Sequence, residues 1–109
     1  MGCGVRLVTG ALLALSLAAS AAASPRTTTH TVTIEGMQFS PPELTVHRGD
    51  RIVWVNKDLF PHTVTAAGKS FDSGSIAAGA SWSYVAATSG DYAYGCTFHP
   101  TMQGRLTVQ

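Results

Sequence analysis

Four side chains that bind soft metal ions are concentrated in two short stretches of the chain. Cys96, His99 and Met102 follow one another with two residues between each pair, and His62 lies upstream, directly after Pro61. A thiolate, two imidazoles and a thioether form the donor set of copper sites that exchange single electrons. The residue types and their spacing therefore predict that these four side chains bind one copper ion, which would cycle between Cu(I) and Cu(II).

The spacing also indicates how the four side chains could meet. We expect Cys96 at the end of one strand and Gly104 at the start of the next, so that the residues between them form a tight loop. His62 must then come from a neighbouring strand end. In such a site the thiolate and both imidazoles lie near one plane, with the Met102 sulfur as a weak axial contact. This geometry suits neither oxidation state fully, so little rearrangement accompanies electron transfer.

Other chemistries explain only part of this set. Zinc accepts cysteine and histidine, but its structural sites rarely include a thioether. Covalent haem attachment needs a Cys-x-x-Cys-His motif, which the chain lacks. Catalysis by a Cys96 thiolate paired with His99 would leave His62 and Met102 without a role. We therefore expect a metal-binding protein rather than an enzyme.

Residues 1–23 have the pattern of a cleaved secretory signal. Arg6 precedes an apolar run over residues 7–19, and Ala21, Ala22 and Ala23 provide the small residues that a signal peptidase requires. The run is short and rich in alanine, which favours a cleaved signal over a membrane anchor. We expect a signal peptide at 1–23, a flexible N-terminus at 24–30 and one domain at 31–109. The domain would be periplasmic or extracellular, with no membrane insertion after cleavage.

The charge and the cysteine content limit which classes of partner and cofactor the domain could bind. The chain has seven Lys and Arg against six Asp and Glu, and the loss of Arg6 with the leader would make the two counts equal. A neutral domain lacks the basic patch that nucleic-acid binding requires, so we expect no nucleic-acid partner. Removal of Cys3 would leave Cys96 as a single thiol in an oxidising compartment, where a bound metal would protect it.

The mature part reads as short alternating segments separated by Gly, Pro, Asn and Asp. None of these segments has a helical period. Six or seven strands at such intervals predict an all-β, antiparallel Greek-key β-sandwich. The segments that alternate or are apolar are 31–35, 44–46, 51–56, 62–66, 81–85, 92–96 and 104–108.

The chain resembles the cupredoxins, and within that family the amicyanin group. The similar segments are 37–46, 49–56, 61–62 and 92–102, and the short Cys-x-x-His-x-x-Met loop is the most specific of them. The resemblance implies the cupredoxin fold and a type 1 copper site. The ligands that it implies are His62, Cys96, His99 and Met102.

Resemblance to the cupredoxins also implies how partners would bind. Redox proteins would dock at an apolar patch around His99, and the protein would act as a monomer. The residues expected to form the rim of the patch are Pro100 and Thr101, with Met37, Phe39 and Pro61.

Two positions depart from the family pattern. Thr63 stands where relatives commonly have an Asn that ties the two ligand loops together. Phe98 stands where relatives with this loop usually have Pro, and its backbone N–H could donate to the Cys96 sulfur.

Two other functions remain open at this stage. The protein could be a carrier or chaperone that delivers copper outside the cytoplasm, although such proteins are typically richer in Met than this chain, which has three. It could also be a β-sandwich module that binds no metal. The leading prediction is a small exported blue copper protein that transfers single electrons between redox partners.

Overall fold

The computed structural model describes residues 2–6, 9–16 and 26–109, and all of its strands lie in the last of these ranges. Among the described residues, no helix is long and apolar enough to cross a membrane. The eight strands are Thr29–Glu35 (β1), Gln38–Ser40 (β2), Glu43–Val46 (β3), Arg51–Asn56 (β4), Thr65–Ala66 (β5), Ser81–Val85 (β6), Gly90–Gly95 (β7) and Gln103–Val108 (β8).

The strands form two four-stranded sheets, which confirms the predicted all-β sandwich. One sheet has the order β2-β1-β4-β6 and the other the order β3-β8-β7-β5. Four strand pairs are antiparallel, whereas β1 pairs with β4 and β3 pairs with β8 in parallel. The pairing is therefore mixed. The chain leaves the first sheet after β2 and passes through Pro41 and Pro42 to β3 in the second sheet. It then returns to the first sheet as β4, which runs parallel to β1.

The core lies between the two sheets and is dominated by aromatic rings. Trp54 of β4 is fully buried, and its ring centroid lies 5.6 Å from that of Tyr94 on β7, with the two rings almost perpendicular. Tyr94 also meets Phe39 of β2 at 4.8 Å. Edge-to-face pairs of this kind add about 0.5–1.5 kcal/mol each beyond the burial of their surface. β4 lies between β1 and β6 in its sheet, and every second side chain along it is buried.

The first strand begins earlier than the sequence predicted. Thr29 and His30 were placed in the flexible N-terminus, but they pair in parallel with Arg51 and Ile52 of β4. The backbone N–H of Arg51 also donates to the carbonyl of Thr28 at 2.9 Å. These residues belong to the strand because β4 provides a complete backbone partner for them.

The predicted signal peptide lies largely beyond what the structure describes. The Ala21–Ala23 motif and the two ends of the apolar run are outside the described residues. Residues 2–6 and 9–16 are described, and they form neither helix nor strand. Their apolar side chains, including Leu12 and Leu13, are exposed. Cleavage of this segment remains a prediction.

Asp50 fastens the start of β1 to the start of β4. Its buried carboxylate accepts hydrogen bonds from the backbone N–H groups of Thr28 (3.1 Å) and His47 (3.0 Å), and it lies 2.9 Å from His30 Nε2. The bond with His30 is the largest of the effects that lower the pKa of Asp50 to about 2, followed by the two backbone bonds. Hydrogen bonds of this kind favour the ionised carboxylate.

We expect Asp50→Asn to reduce stability at neutral pH and to flatten the dependence of stability on pH. A carboxyl group whose pKa falls from 3.8 to about 2 on folding stabilises the native state above pH 3.8. This contribution is lost as the pH falls towards about 2. Urea denaturation at several acidic pH values should therefore show a steeper loss for the wild-type chain than for the variant.

Asp91→Asn is the control for this experiment. The Asp91 side chain is exposed, lies 3.7 Å from Arg105 and accepts the hydroxyl of Thr107, a bond that the asparagine oxygen can keep. Its substitution should therefore change the free energy of unfolding at pH 7 by at most about 0.5 kcal/mol. Equal slopes for the wild-type chain and Asp50→Asn would contradict the role assigned to Asp50.

Candidate metal centre

The structure brings together His62, Cys96 and His99. Cys96 directly follows β7, His99 lies in the loop that leads to β8, and His62 lies in the loop between β4 and β5. Their ligand atoms all lie within 4.8 Å of one another, and the Cys96 sulfur is 3.8 Å from Nδ1 of each histidine. The three donors reach this common point from two separate segments of the chain, because His62 and Cys96 are 34 positions apart.

Backbone hydrogen bonds close the loop that carries three of the predicted ligands. The N–H of Met102 donates to the carbonyl of His99 at 2.9 Å, and the N–H of Cys96 donates to the carbonyl of Met102 at 3.3 Å. Met102 is buried at the end of this loop, just before β8. The tight Cys-x-x-His-x-x-Met turn predicted from the spacing is therefore present.

His62 is not part of the strand predicted over residues 62–66. The observed strand β5 contains only Thr65 and Ala66. His62 instead exchanges two backbone hydrogen bonds with Ile76, at 3.1 and 2.7 Å, in an isolated bridge. His62 is completely buried, and this bridge holds its backbone in place.

The environment of Cys96 favours its thiolate. Burial disfavours the charged form, but several donors outweigh burial and lower the pKa of the Cys96 thiol to about 6. The Thr63 N–H donates to the sulfur at 3.3 Å. The two imidazoles and the backbone N–H of Phe98 act in the same direction. The contribution of Phe98 has the direction expected from the replacement of proline at position 98, and a thiolate is the form that binds metal.

The residues fit a copper ion. Two imidazole nitrogens and a thiolate converge at a buried point, with their hydrogen-bonding partners already in place. His62 donates through its other nitrogen, Nε2, to the Asp58 carboxylate at 2.7 Å, which leaves Nδ1 free to bind a metal. Soft sulfur and imidazole donors in this arrangement suit copper in both oxidation states.

Asp58 is a residue of the site that sequence reasoning missed. Burial raises its pKa, but hydrogen bonds from the N–H of Met37, from His62 and from the N–H of Gly36 outweigh burial, so that the net pKa is lowered. The only signal in the sequence was a carboxylate four residues before a candidate ligand. In a loop, a separation of four residues does not predict whether two side chains are in contact.

Thr63 connects the two ligand loops. Its hydroxyl oxygen accepts a hydrogen bond from the N–H of Thr97 at 2.9 Å, while its own N–H donates to the Cys96 sulfur. Thr63 is buried, and its bond to the Cys96 sulfur is buried with it, whereas its bond to Thr97 is partly buried. The replacement of the usual Asn by Thr therefore keeps a bond between the loops, and the backbone supplies the donor to the sulfur.

The surface beside His99 is apolar, but its composition differs from the expectation. Phe39 is buried in the core and does not contribute, and Met37 is half-buried. The exposed rings of Phe60 and Phe98 were missed, and so was Leu59, which is 92% exposed. We call the set Leu59, Phe60, Pro61, Phe98 and Pro100 the apolar face.

Phe60 lies between the apolar face and the predicted ligands His62 and His99. Its ring centroid lies 5.3 Å from that of His62 and 5.8 Å from that of His99. The two histidine rings are 5.0 Å apart. His99 is half-buried, whereas His62 is fully enclosed. The His99 ring therefore connects the buried donors to the apolar face.

Comparisons with known proteins agree with this geometry. Residues 7–108 match the model of the cupredoxin-like domain. The chain is 30% identical over 83 residues to amicyanin of Paracoccus versutus and 32% identical over 88 residues to amicyanin of Paracoccus denitrificans. Each match covers 72% of this chain, which spans 63% of the relative's length. A solved Cu(I) structure of a mutant amicyanin gives a TM-score of 0.70 at 29% identity, covering 74% of this chain and 82% of that chain.

We expect Thr63→Val to loosen the connection between the ligand loops without changing the shape of the side chain. Loss of the hydroxyl leaves the N–H of Thr97 without its acceptor, which should lower the free energy of unfolding of the metal-free protein by about 1 kcal/mol. Amide hydrogen exchange at Thr97 should become faster, while Thr63→Ser, which keeps the hydroxyl, should exchange like the wild-type chain. Unchanged exchange at Thr97 in the valine variant would contradict this role.

Proposed function

Because the chain belongs to the cupredoxin-like family, an electron-transfer family, we propose that it is a small exported blue copper protein that carries single electrons between redox proteins. One observation carries the proposal. The ligand atoms of His62, Cys96 and His99 lie within 4.8 Å of one another beneath an exposed apolar face. The proposed compartment is the periplasm or the cell exterior, as the leader-like segment at 1–23 suggests.

The proposed copper ligands are His62, Cys96, His99 and Met102. When bound, copper would supply the one-electron Cu(I)/Cu(II) couple. The protein supplies the donors in a preorganised form, because the Cys96 sulfur already accepts the N–H of Thr63 and the loop to Met102 is closed by backbone bonds. Such fixed donors limit the movement that accompanies a change of charge.

The apolar face is the proposed docking site for redox partners. Leu59, Phe60 and Phe98 expose large apolar side chains. The Phe60 ring lies 5.8 Å from that of His99, and Leu59 and Phe98 directly precede Phe60 and His99 in the chain. A small uncharged surface supports brief and weak association, which suits a protein that must release its partner after each electron. The His99 ring lies between this surface and the buried thiolate, so it is the proposed contact point for electron exchange.

Titration of the protein with Cu(II) tests the proposed function. We expect an intense visible band near ~600 nm from charge transfer between the Cys96 thiolate and copper, and its loss in Cys96→Ala. Retention of copper in both oxidation states would distinguish a redox protein from a copper carrier, which must release the metal readily in one of them. A pale complex, or loose binding, would contradict the electron-transfer proposal.

Electron self-exchange between two copies tests the docking site without a known partner. In Leu59→Lys two like charges would face each other when the apolar faces meet, and we expect the self-exchange rate to fall about tenfold at low ionic strength. Salt should restore most of the rate because it screens exposed charges. The rate can be measured from NMR line broadening in mixtures of oxidised and reduced protein.

Val85→Lys is the matched control for Leu59→Lys. Val85 is also an exposed apolar residue (45% exposed), but it lies on β6 opposite Arg51, at the other end of the sandwich. Val85→Lys introduces the same charge as Leu59→Lys but away from the apolar face, so the self-exchange rate of this variant should remain close to that of the wild-type protein. Equal effects of the two substitutions would contradict docking through the apolar face.

A further inference from the structure

The carboxylate of Asp58 joins a metal ligand to a distant β-turn. One oxygen, Oδ2, lies 2.7 Å from Nε2 of His62 and accepts the N–H of Met37 at 3.0 Å. The other, Oδ1, accepts the N–H of Gly36 at 2.7 Å. The side chain is only 10% exposed. Three N–H donors thus converge on one largely buried carboxylate.

The turn that provides two of these donors has an unusual backbone. Gly36 and Met37 form the two-residue connection between β1 and β2, where Glu35 pairs with Gln38. Both have positive φ, 62° for Gly36 and 58° for Met37. Tight hairpins require this conformation, but an ordinary side chain such as that of Met disfavours it. The turn directs two successive N–H groups at Asp58.

Asn56 holds the loop that carries both Asp58 and His62. Its side chain is fully buried, and Oδ1 accepts the N–H of Asp58 at 3.0 Å. Its amide Nδ2 donates to the carbonyls of Phe60 (2.9 Å) and Ile76 (3.0 Å). The carboxylate and the imidazole that it contacts are therefore placed by a common anchor.

These contacts determine which nitrogen of His62 carries a proton. An ionised carboxylate can only accept hydrogen bonds, so Nε2 must be the protonated nitrogen. In the neutral ring, Nδ1 then carries the lone pair, and Nδ1 is the atom that lies 3.8 Å from the Cys96 sulfur. A carboxylate on the far side of an imidazole also makes the imidazole a stronger donor to a metal.

We propose that Asp58, held by the Gly36–Met37 turn, is a positioning residue that fixes the orientation and tautomer of His62 for copper. The inference rests on the proposed function, because it assigns a role toward the same metal. Asp58 also places a negative charge close to the site. This charge favours the oxidised form, so Asp58 lowers the reduction potential.

The proposal can be tested first in the metal-free protein. In long-range ¹H–¹⁵N NMR spectra at pH 7, the wild-type His62 should show the Nε2–H tautomer with a slowly exchanging proton. Asp58→Asn should lose this slow proton, whereas Asp91→Asn, which removes an equal charge at the far end of β7, should keep it. An unchanged His62 signal in Asp58→Asn would overturn the proposal. The result does not depend on the visible spectrum of the copper form, so it is separate from the test of the proposed function.

The copper-loaded protein provides the second measurement. Cu(II) affinity, measured by competition with a chelator, should fall ten- to hundredfold in Asp58→Asn, the range typical for the loss of a partner of a metal-binding histidine. The reduction potential measured by voltammetry should rise. Asp91→Asn should change neither quantity. Equal changes in the two variants would mean that affinity and potential respond only to the net charge of the protein, and this result would also overturn the proposal.

A variant of the turn tests the proposal if Asp58→Asn fails to fold. Gly36→Ala adds a methyl group that meets no atom within 4 Å, so its effect acts through the strained positive φ alone. Gly74→Ala is a matched control, because Gly74 has a φ of 61° and equally open surroundings, and its N–H donates to Asp72 rather than to Asp58. Gly36→Ala should weaken Cu(II) binding in the same direction as Asp58→Asn, and Gly74→Ala should not. Equal affinities for the two alanine variants would contradict the role of the turn.

Discussion

The candidate metal centre depends on the hydrogen bonds that hold two distant loops against each other. Thr63 makes the decisive pair, since its N–H donates to the Cys96 sulfur and its hydroxyl accepts the N–H of Thr97. Without the Thr63 N–H the buried thiolate would lose one of its hydrogen-bond donors, which costs free energy. With both bonds the sulfur is kept ionisable and is held 3.8 Å from the Nδ1 atoms of His62 and His99.

Two aspartates fasten the parallel pair β1 and β4 at its opposite ends. Asp50 directly precedes β4 and binds the N–H of Thr28, just before β1. Asp58 lies two residues beyond β4 and binds the N–H groups of Gly36 and Met37, just after β1. Each carboxylate also contacts a histidine. Asp50 thereby holds the N-terminal end of β1 against β4, while Asp58 connects the other end of this strand pair to His62, a proposed metal ligand.

Much of the fold and most of the site could be predicted from the sequence. Alternating or apolar segments predicted most of the strands, but β2 (Gln38–Ser40) was not among them. The three donors His62, Cys96 and His99 are together, as their spacing predicted. The predictions failed where backbone pairing overrode local pattern. Thr29 and His30 join β1 because β4 offers them partners, and the strand predicted around His62 shrinks to β5.

The sequence by itself determined which donors are available and how the short loop from Cys96 to Met102 closes, because these depend on side-chain chemistry and on neighbours along the chain. Only the tertiary structure decided that Asp58 meets both His62 and the turn at Gly36, and that Phe39 is buried while Leu59 and Phe60 are exposed. Such contacts join residues that are distant in sequence. Their geometry depends on strand register and sheet packing, which local sequence patterns do not encode.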